Sequence, residues 1–245
     1  VKPNSPITDT LFAKPIEQLQ RFRFDEHVAR VFADMIGRSV PGYDLTLSMI
    51  GVLAAHYAQS HSRCYDLGCS LGASTLAMRH HIPSSCQLIA IDNSLAMLQQ
   101  CQENLRCDTA RARVDLVCSD IQHVLISDAS MVTLNFTLQF IPAARRLAML
   151  ESIHQGLRPG GALVLSEKIA MPGDAQQQVF EFLHHDFKRA MGYSDLEIAQ
   201  KRAALDKVLV PDTSESHKER LHKAGFKEVY TWFQCLNFAS WLAIK

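Results

Sequence analysis

The sequence predicts an α/β fold with a mostly parallel sheet and a C-terminal antiparallel hairpin, and three observations carry that reading. Short apolar, β-prone runs alternate with helical segments between residues 61 and 167. The run Tyr65-Asp66-Leu67 ends in the glycine turn Gly68-Cys69-Ser70-Leu71-Gly72, directly before a helix start at Ala73-Ser74-Thr75. A second buried run, Ile89-Ala90-Ile91, ends in Asp92-Asn93. Strand, tight turn, helix, and a strand ending in an acid is the order in which an open α/β sheet holds a nucleoside at the carboxyl ends of its strands.

Taken in order, residues 1–60 form an arm and a helical cover. Residues 1–24 carry Pro3, Pro6 and Pro15 with little periodicity and read as an arm. From Asp25, Val28, Val31, Phe32, Met35 and Ile36 recur at helical intervals until Pro41-Gly42 breaks the helix. A second apolar helix runs from about Leu45 to Tyr57, and the two helices are expected to lie over the strand ends. The nucleoside-binding core spans 61–167. Its strands are read at 63–67, 87–91, 114–117, 131–135 and 162–166, with helices at 73–81, 94–105 and 143–157. Residues 168–215 interrupt that rhythm as a polar helical insertion, a natural place for substrate specificity. Residues 216–245 return as a helix stopped at Gly225 and two β-rich runs, Glu228–Phe233 and Asn237–Ile244, placed as a hairpin on the sheet. The whole chain reads as one domain.

The composition excludes several function classes. Of 245 residues, 47% are hydrophobic and 20% charged, as in an ordinary globular chain. Lys+Arg and Asp+Glu balance at 25 each, so no global field draws in nucleic acid or an anionic membrane. Cys64, Cys69, Cys86, Cys101, Cys107, Cys118 and Cys235 form no Cys-x-x-Cys pair, which fits a reducing cytosol. No signal-peptide pattern and no bilayer-length apolar run is present, so a soluble cytoplasmic protein without a membrane partner is expected.

Three features favour S-adenosylmethionine over a dinucleotide. The glycine turn lacks the full Gly-x-Gly-x-x-Gly phosphate cradle, which a ligand without pyrophosphate does not need. Asp120-Ile121 offers a carboxylate for an adenine amino group and an apolar ring contact. Asp92, 24 residues after Gly68 and near the spacing at which a strand-end carboxylate reaches ribose hydroxyls, points to a nucleoside without choosing between the two. The run Gln155-Gly156-Leu157-Arg158-Pro159-Gly160-Gly161-Ala162-Leu163-Val164-Leu165 resembles the helix-turn-strand ending of class I methyltransferases, whose Rossmann-like sheet the region 60–166 is similar to.

A narrower resemblance lies outside those motifs. Ser39-Val40-Pro41-Gly42-Tyr43, Leu134-Asn135-Phe136-Thr137-Leu138-Gln139-Phe140, His184-His185-Asp186-Phe187-Lys188-Arg189-Ala190, Gln200-Lys201-Arg202 and His222-Lys223-Ala224-Gly225-Phe226 resemble the bacterial carboxy-S-adenosylmethionine synthases. These belong to the pathway that makes 5-oxyacetyl uridine at the tRNA wobble position. The resemblance implies that S-adenosylmethionine is a substrate, that prephenate supplies the carboxyl group and leaves as phenylpyruvate, and that a separate tRNA carboxymethyltransferase uses the product. It also implies a homodimer, while the balanced charge argues against direct tRNA binding by this chain, and no metal is expected. By the same resemblance the ligand contacts fall on Tyr43, Gly68, Cys69, Ser70, Asp92, Asn93, Asp120, Ile121, Asn135 and Arg202.

Each residue also has a plainer explanation. Asp92 and Asp120 could be helix N-caps, Asn135 a structural turn residue, and Tyr43 a ring capping the core. Arg202 sits with Lys188, Arg189, Lys201 and Lys207 among Asp186, Asp195, Glu197 and Asp206, which taken alone reads as a solvated helical surface of weak ion pairs. The chemistry asks for more: a carboxymethyl sulfonium carries a carboxylate that a guanidinium meets with two parallel charged hydrogen bonds. Arg202 is therefore the expected catalytic residue. His184-His185-Asp186 is a poor chelate, because adjacent helical residues point about 100° apart. Cys69 reads as a small buried side chain, not a nucleophile. Two rivals share the fold: a conventional methyltransferase of a small molecule or tRNA, and a noncatalytic S-adenosylmethionine-binding partner of a tRNA-modifying enzyme.

Overall fold

A computed structural model describes residues 7–245; Pro3 and Pro6 of the expected arm lie outside the described residues. Helix α1 (Glu26–Gly37) starts where Asp25 accepts the Val28 N–H, a side-chain cap at the first turn. Helix α2 (Tyr43–Tyr57) follows the Pro41-Gly42 break and begins at Tyr43 itself. The core then alternates β1 (Arg63–Leu67), α3 (Ala73–Arg79), β2 (Gln87–Asp92), α4 (Leu95–Arg106), β3 (Arg113–Cys118), β4 (Ala129–Asn135), α5 (Ala143–Gly156) and β5 (Leu157–Ala170). Helices α6 (Asp174–Ala190) and α7 (Asp195–Leu205), the short strand β6 (Asp212–Thr213), α8 (Ser214–Lys223), β7 (Glu228–Cys235) and β8 (Phe238–Ile244) complete the chain.

The strand order is β3-β2-β1-β4-β5-β8-β7, with β6 beside the end of β5. Strands β1 to β5 pair in parallel, whereas β8 is antiparallel to both β5 and β7, so the C-terminal hairpin adds to the sheet edge as expected. The observed β5 is longer than the expected 162–166. Gly160 and Gly161 exchange backbone hydrogen bonds with Lys245, which holds the Pro-Gly-Gly stretch extended, and Ile169-Ala170 run on to pair with β6.

Alternate residues of the central strands feed two apolar layers, as the period of a strand requires. Leu163 and Leu165 join Val132, Leu134, Leu150, Ile153 and Trp241 on the face covered by α5 and α8. Ala162 and Val164 join Met131, Leu88, Met78 and Ile50 on the face covered by α2 and α3. Burying each Leu or Ile in these layers contributes about 1.5–3 kcal/mol. A third cluster packs Val28, Val31 and Met35 of α1 on Met97 of α4. This cluster fixes α1 over the strand ends, and the arm is tied down beside it: Phe22 N–H donates to the Ala204 carbonyl and Tyr193 Oη donates to buried Asp9.

Candidate functional site

A cavity of about 690 Å³ crosses the carboxyl ends of β3, β2, β1, β4 and β5, under α1 and α2. Its floor starts at the glycine turn. Gly68 has φ +80°, and a Cβ there would come within 2.4 Å of Thr137, so only glycine fits. The Gly68 and Cys69 N–H groups both donate to the Ile91 carbonyl, at 2.8 and 2.9 Å, which ties the turn to β2. Gly72 lets α4 approach until a Cβ would meet Cys101 Sγ at 2.6 Å.

Asp92 ends β2 in the cavity wall. The cap of α4 is Ser94, so Asp92 is not the N-cap that the plainer reading made it. Its Oδ2 accepts the Ser70 N–H at 2.9 Å and its Oδ1 accepts the Ser94 N–H at 2.8 Å, so the carboxylate is locked in one orientation. Burial raises its pKa, and the N–H donors oppose that rise. Beneath it, Asp66 is fully buried, accepts the Thr75 hydroxyl at 2.5 Å and is pushed up to about 7 by burial. Asn93 borders the same wall.

Asp120 serves both readings: it caps the short 3-10 turn Ile121–His123 through the Gln122 N–H at 2.9 Å, and it lines the cavity beside buried Ile121. Asn135, at the end of β4, donates to Ser74 Oγ at 3.0 Å, while its Oδ1 is buried without a hydrogen-bond partner. Such an orphan acceptor on a cavity wall fits a ligand donor. Tyr43 lines the opposite wall from α2, with its ring centroid 6.3 Å from that of Phe136. Cys69 is buried, and hydrogen bonding with Cys101 together with burial drives its thiol pKa well up, so it is no nucleophile. Tyr43, Gly68, Cys69, Ser70, Asp92, Asn93, Asp120, Ile121 and Asn135 thus meet around one space.

Arg202 does not join them within its own chain. It is exposed on α7, bonds Glu181 of α6 at 2.9 Å and lies outside the cavity wall. The solvated-surface reading of its neighbours needs correction. Arg189 follows it, paired with Asp186 and Asp195 at the surface. Lys188 and Lys201 do not: both face the cavity, with Lys168 from β5 and His184 from α6. The reason is geometric, since α6 and α7 present one face to solvent and one to the cavity mouth, and charged residues occupy both. Burial and the neighbouring cations push Lys188 down to about 7, and burial pushes Lys201 down to about 8. His184 Nε2 lies 2.8 Å from the Ser39 carbonyl and donates to it, since a carbonyl oxygen only accepts; burial pushes the imidazole pKa down to about 3. The spacing of His184 and Lys188, one helical turn apart, was the one local sign in the sequence that these two share a face.

Phe24 closes the outer side, edge-on to Phe22, Phe32 and Phe140 at centroid distances of 5.2, 5.9 and 5.3 Å. Glu167 is fully buried and accepts the Leu138 and Gln139 N–H groups at 2.8 and 2.9 Å, fixing the segment after Asn135; burial pushes its pKa up to about 8. Among the described residues, no helix is long and apolar enough to cross a membrane.

The family model for a methyltransferase domain matches residues 64–161, the part that forms the glycine turn, Asp92, Asp120 and Asn135. The chain is similar in fold to an O-methyltransferase family 2 protein from Planctomyces limnophilus, with a TM-score of 0.63 at 19% identity over 90% of this chain and 61% of that one. It is 59% identical to the carboxy-S-adenosyl-L-methionine synthase of Geobacter metallireducens over 97% of this chain and 98% of that protein. It is 55% identical to the same-named protein of Marinobacter nauticus over 99% of this chain and 97% of that protein. The chain belongs to the carboxy-S-adenosyl-L-methionine synthase family.

Proposed function

We propose that this protein converts S-adenosyl-L-methionine and prephenate to carboxy-S-adenosyl-L-methionine and phenylpyruvate. The observation that carries the reading is the near-full-length similarity to relatives named for that product. A methyltransferase fold alone is equally suited to ordinary methyl transfer.

The walls fit the nucleoside. Asp92, held by two backbone N–H groups, takes the ribose hydroxyls; Asp120 and Ile121 take the adenine edge and face. The orphan Asn135 Oδ1 and the Tyr43 hydroxyl face the methionyl part. S-adenosylmethionine supplies a sulfonium-activated methyl group, and prephenate supplies carbon dioxide and a hydroxide equivalent as it aromatises. The methyl proton leaves with that hydroxide as water, so the protein needs orientation and exclusion of bulk water more than an acid–base pair. The edge-to-face rings of Phe22, Phe24, Phe32 and Phe140 provide the water-excluding side.

Arg202 meets the new carboxylate in this reading, after exchanging Glu181 for it. Its exposure and the exposed apolar row Val179, Phe182 and Leu183 on α6 support a homodimer through which Arg202 acts. The product passes to a separate tRNA carboxymethyltransferase, and balanced charge supports no direct tRNA binding by this cytoplasmic enzyme.

Mass spectrometry of the small molecules after incubation with S-adenosylmethionine and prephenate tests the reaction. A product heavier than S-adenosylmethionine by one carbon dioxide is expected; unchanged S-adenosylmethionine, or its demethylated form, would move the assignment to a methyltransferase. Arg202→Ala is expected to lose carboxylation and retain S-adenosylmethionine binding. Mixing it with Asp92→Ala restores activity if Arg202 acts across the dimer, and loss of all binding in Arg202→Ala would mark a structural role instead.

A further inference from the structure

The cavity has a second pole that the nucleoside does not explain. Lys168 comes from β5, Lys188 from α6 and Lys201 from α7, and all three line the cavity. Lys201 bonds Ser39 Oγ at 3.0 Å and has Asp9 at 3.7 Å. Among the described residues, the Lys168 and Lys188 ammonium groups have neither a hydrogen-bonded nor an ion-paired side chain. Glu181, the acid whose charge partly offsets the burial of Lys168, is hydrogen-bonded to Arg202. Cations drawn out of water without counter-ions cost stability, and they persist where a ligand supplies the missing charge.

The sheet order decides which ligand charge this is. Asp120, Asp92, Gly68 and Asn135 stand at the ends of β3, β2, β1 and β4 in that spatial sequence. The nucleoside ligand therefore spans β3 to β4, and Lys168 on β5 lies one strand beyond its methionyl end. A co-substrate must occupy that space. Resting on the reading above, we infer that Lys168 and Lys188 form the anion site for prephenate, and that they grip the pyruvyl carboxylate retained in phenylpyruvate, not the ring carboxylate lost as carbon dioxide.

The choice between the two carboxylates follows from charge. Loss of carbon dioxide turns the ring carboxylate from an anion to a neutral molecule. A cation held against it would stabilise the starting state more than the transition state and slow the reaction. The pyruvyl carboxylate keeps its charge throughout, so binding it costs the chemistry nothing and aims the ring carboxylate toward the methyl group. Lys201, already bonded to Ser39 and near Asp9, is a positioning residue for α7 in this arrangement.

The test is calorimetric titration of prephenate and of phenylpyruvate into protein saturated with S-adenosylhomocysteine, using wild type, Lys168→Met, Lys188→Met and Lys188→Arg. A charged hydrogen bond lost from each Met variant should weaken both ligands by about tenfold to a hundredfold, by the same factor for each. S-adenosylhomocysteine affinity should stay within about twofold, and Lys188→Arg should recover most of the loss. The ligand-free Tm of Lys188→Met should rise, because an unpaired half-buried cation is removed, so a weaker ligand cannot be blamed on misfolding. Loss of prephenate binding with phenylpyruvate untouched would place the lysines on the ring carboxylate and overturn the assignment. A parallel loss of S-adenosylhomocysteine would place them on the methionyl carboxylate, and unchanged titrations would remove them from the site. Failure of wild type to form the carboxymethyl product strikes the proposed reaction instead; the lysines stand or fall on the titrations.

Discussion

At the β2–β3 end of the cavity the charged groups are carboxylates already bound to backbone, whereas at the β5–α6–α7 end they are ammonium groups with little or nothing to hold. Asp92 accepts two N–H groups and Asp120 caps a turn. The fold itself holds these acids, so in the proposed reading they are fixed before any ligand arrives. Among the described residues the Lys168 and Lys188 ammonium groups hold no side chain by a hydrogen bond; burial destabilises both, and Lys168 adds to that for Lys188. One end is preorganised by the chain's own hydrogen bonds; the other stores electrostatic strain that an anion relieves.

The contrast is sharpest in Asp92→Ala. If Asp92 holds the ribose as proposed, two charged hydrogen bonds go with it, and S-adenosylhomocysteine affinity should fall about a hundredfold or more. Phenylpyruvate titrated into the ligand-free protein should bind as in wild type. Equal losses for both ligands would mean that the two ends are not separate sites. Asn135→Leu removes the orphan acceptor and should cost nucleoside affinity about tenfold by calorimetry, with no loss of unfolding free energy beyond that of the Ser74 contact.

A pH series separates the ends a third way. Lys188 feels the charges of Lys168 of β5 and Lys201 and Arg202 of α7, with His184 and His185 on its own helix, and burial together with those cations pushes its pKa down to about 7. Phenylpyruvate needs the ammonium form, so affinity should be full below pH 7 and fall above it, by at most tenfold per pH unit. S-adenosylhomocysteine affinity should stay flat over the same range, and Lys188→Met should flatten the phenylpyruvate curve.

The smallest effect concerns the fold. His184 and His217 are buried, with pKa values pushed down to about 3 and about 4, below the ordinary 6.5 of an unfolded chain. The unfolded state therefore takes up protons first as pH falls below 6.5, and stability is lost from there down to the folded values. Between pH 6.5 and 5.5 each buried imidazole should cost about 1 kcal/mol in urea unfolding. His184→Gln should reduce that slope, and an unchanged slope would show that His184 is solvated in solution.

The same two regions differ in how far they can be read from the chain. The glycine turn, Asp92 and Asp120 are legible because strand ends, turns and caps are local: a few neighbouring residues set them, and the parallel alternation places them on one edge. The N-terminal helices were legible as a cover for the same reason. Lys168, Lys188 and Lys201 were not, since lysines among acids on polar helices look the same whether they face solvent or a cavity. Arg189 and Arg202, on the same helices, do face solvent.

The sequence by itself determined the order of strands and helices, the β1 turn that only glycine fits, and the acids at the ends of β2 and β3. It did so because backbone geometry and short-range hydrogen bonding act between residues close in the chain. Only the tertiary structure decided that α6 and α7 fold back over β5, and that Arg202 looks outward while Lys188 and Lys201 look in. Which way a charged side chain faces depends on the packing of segments distant in sequence, and no local pattern carries that information.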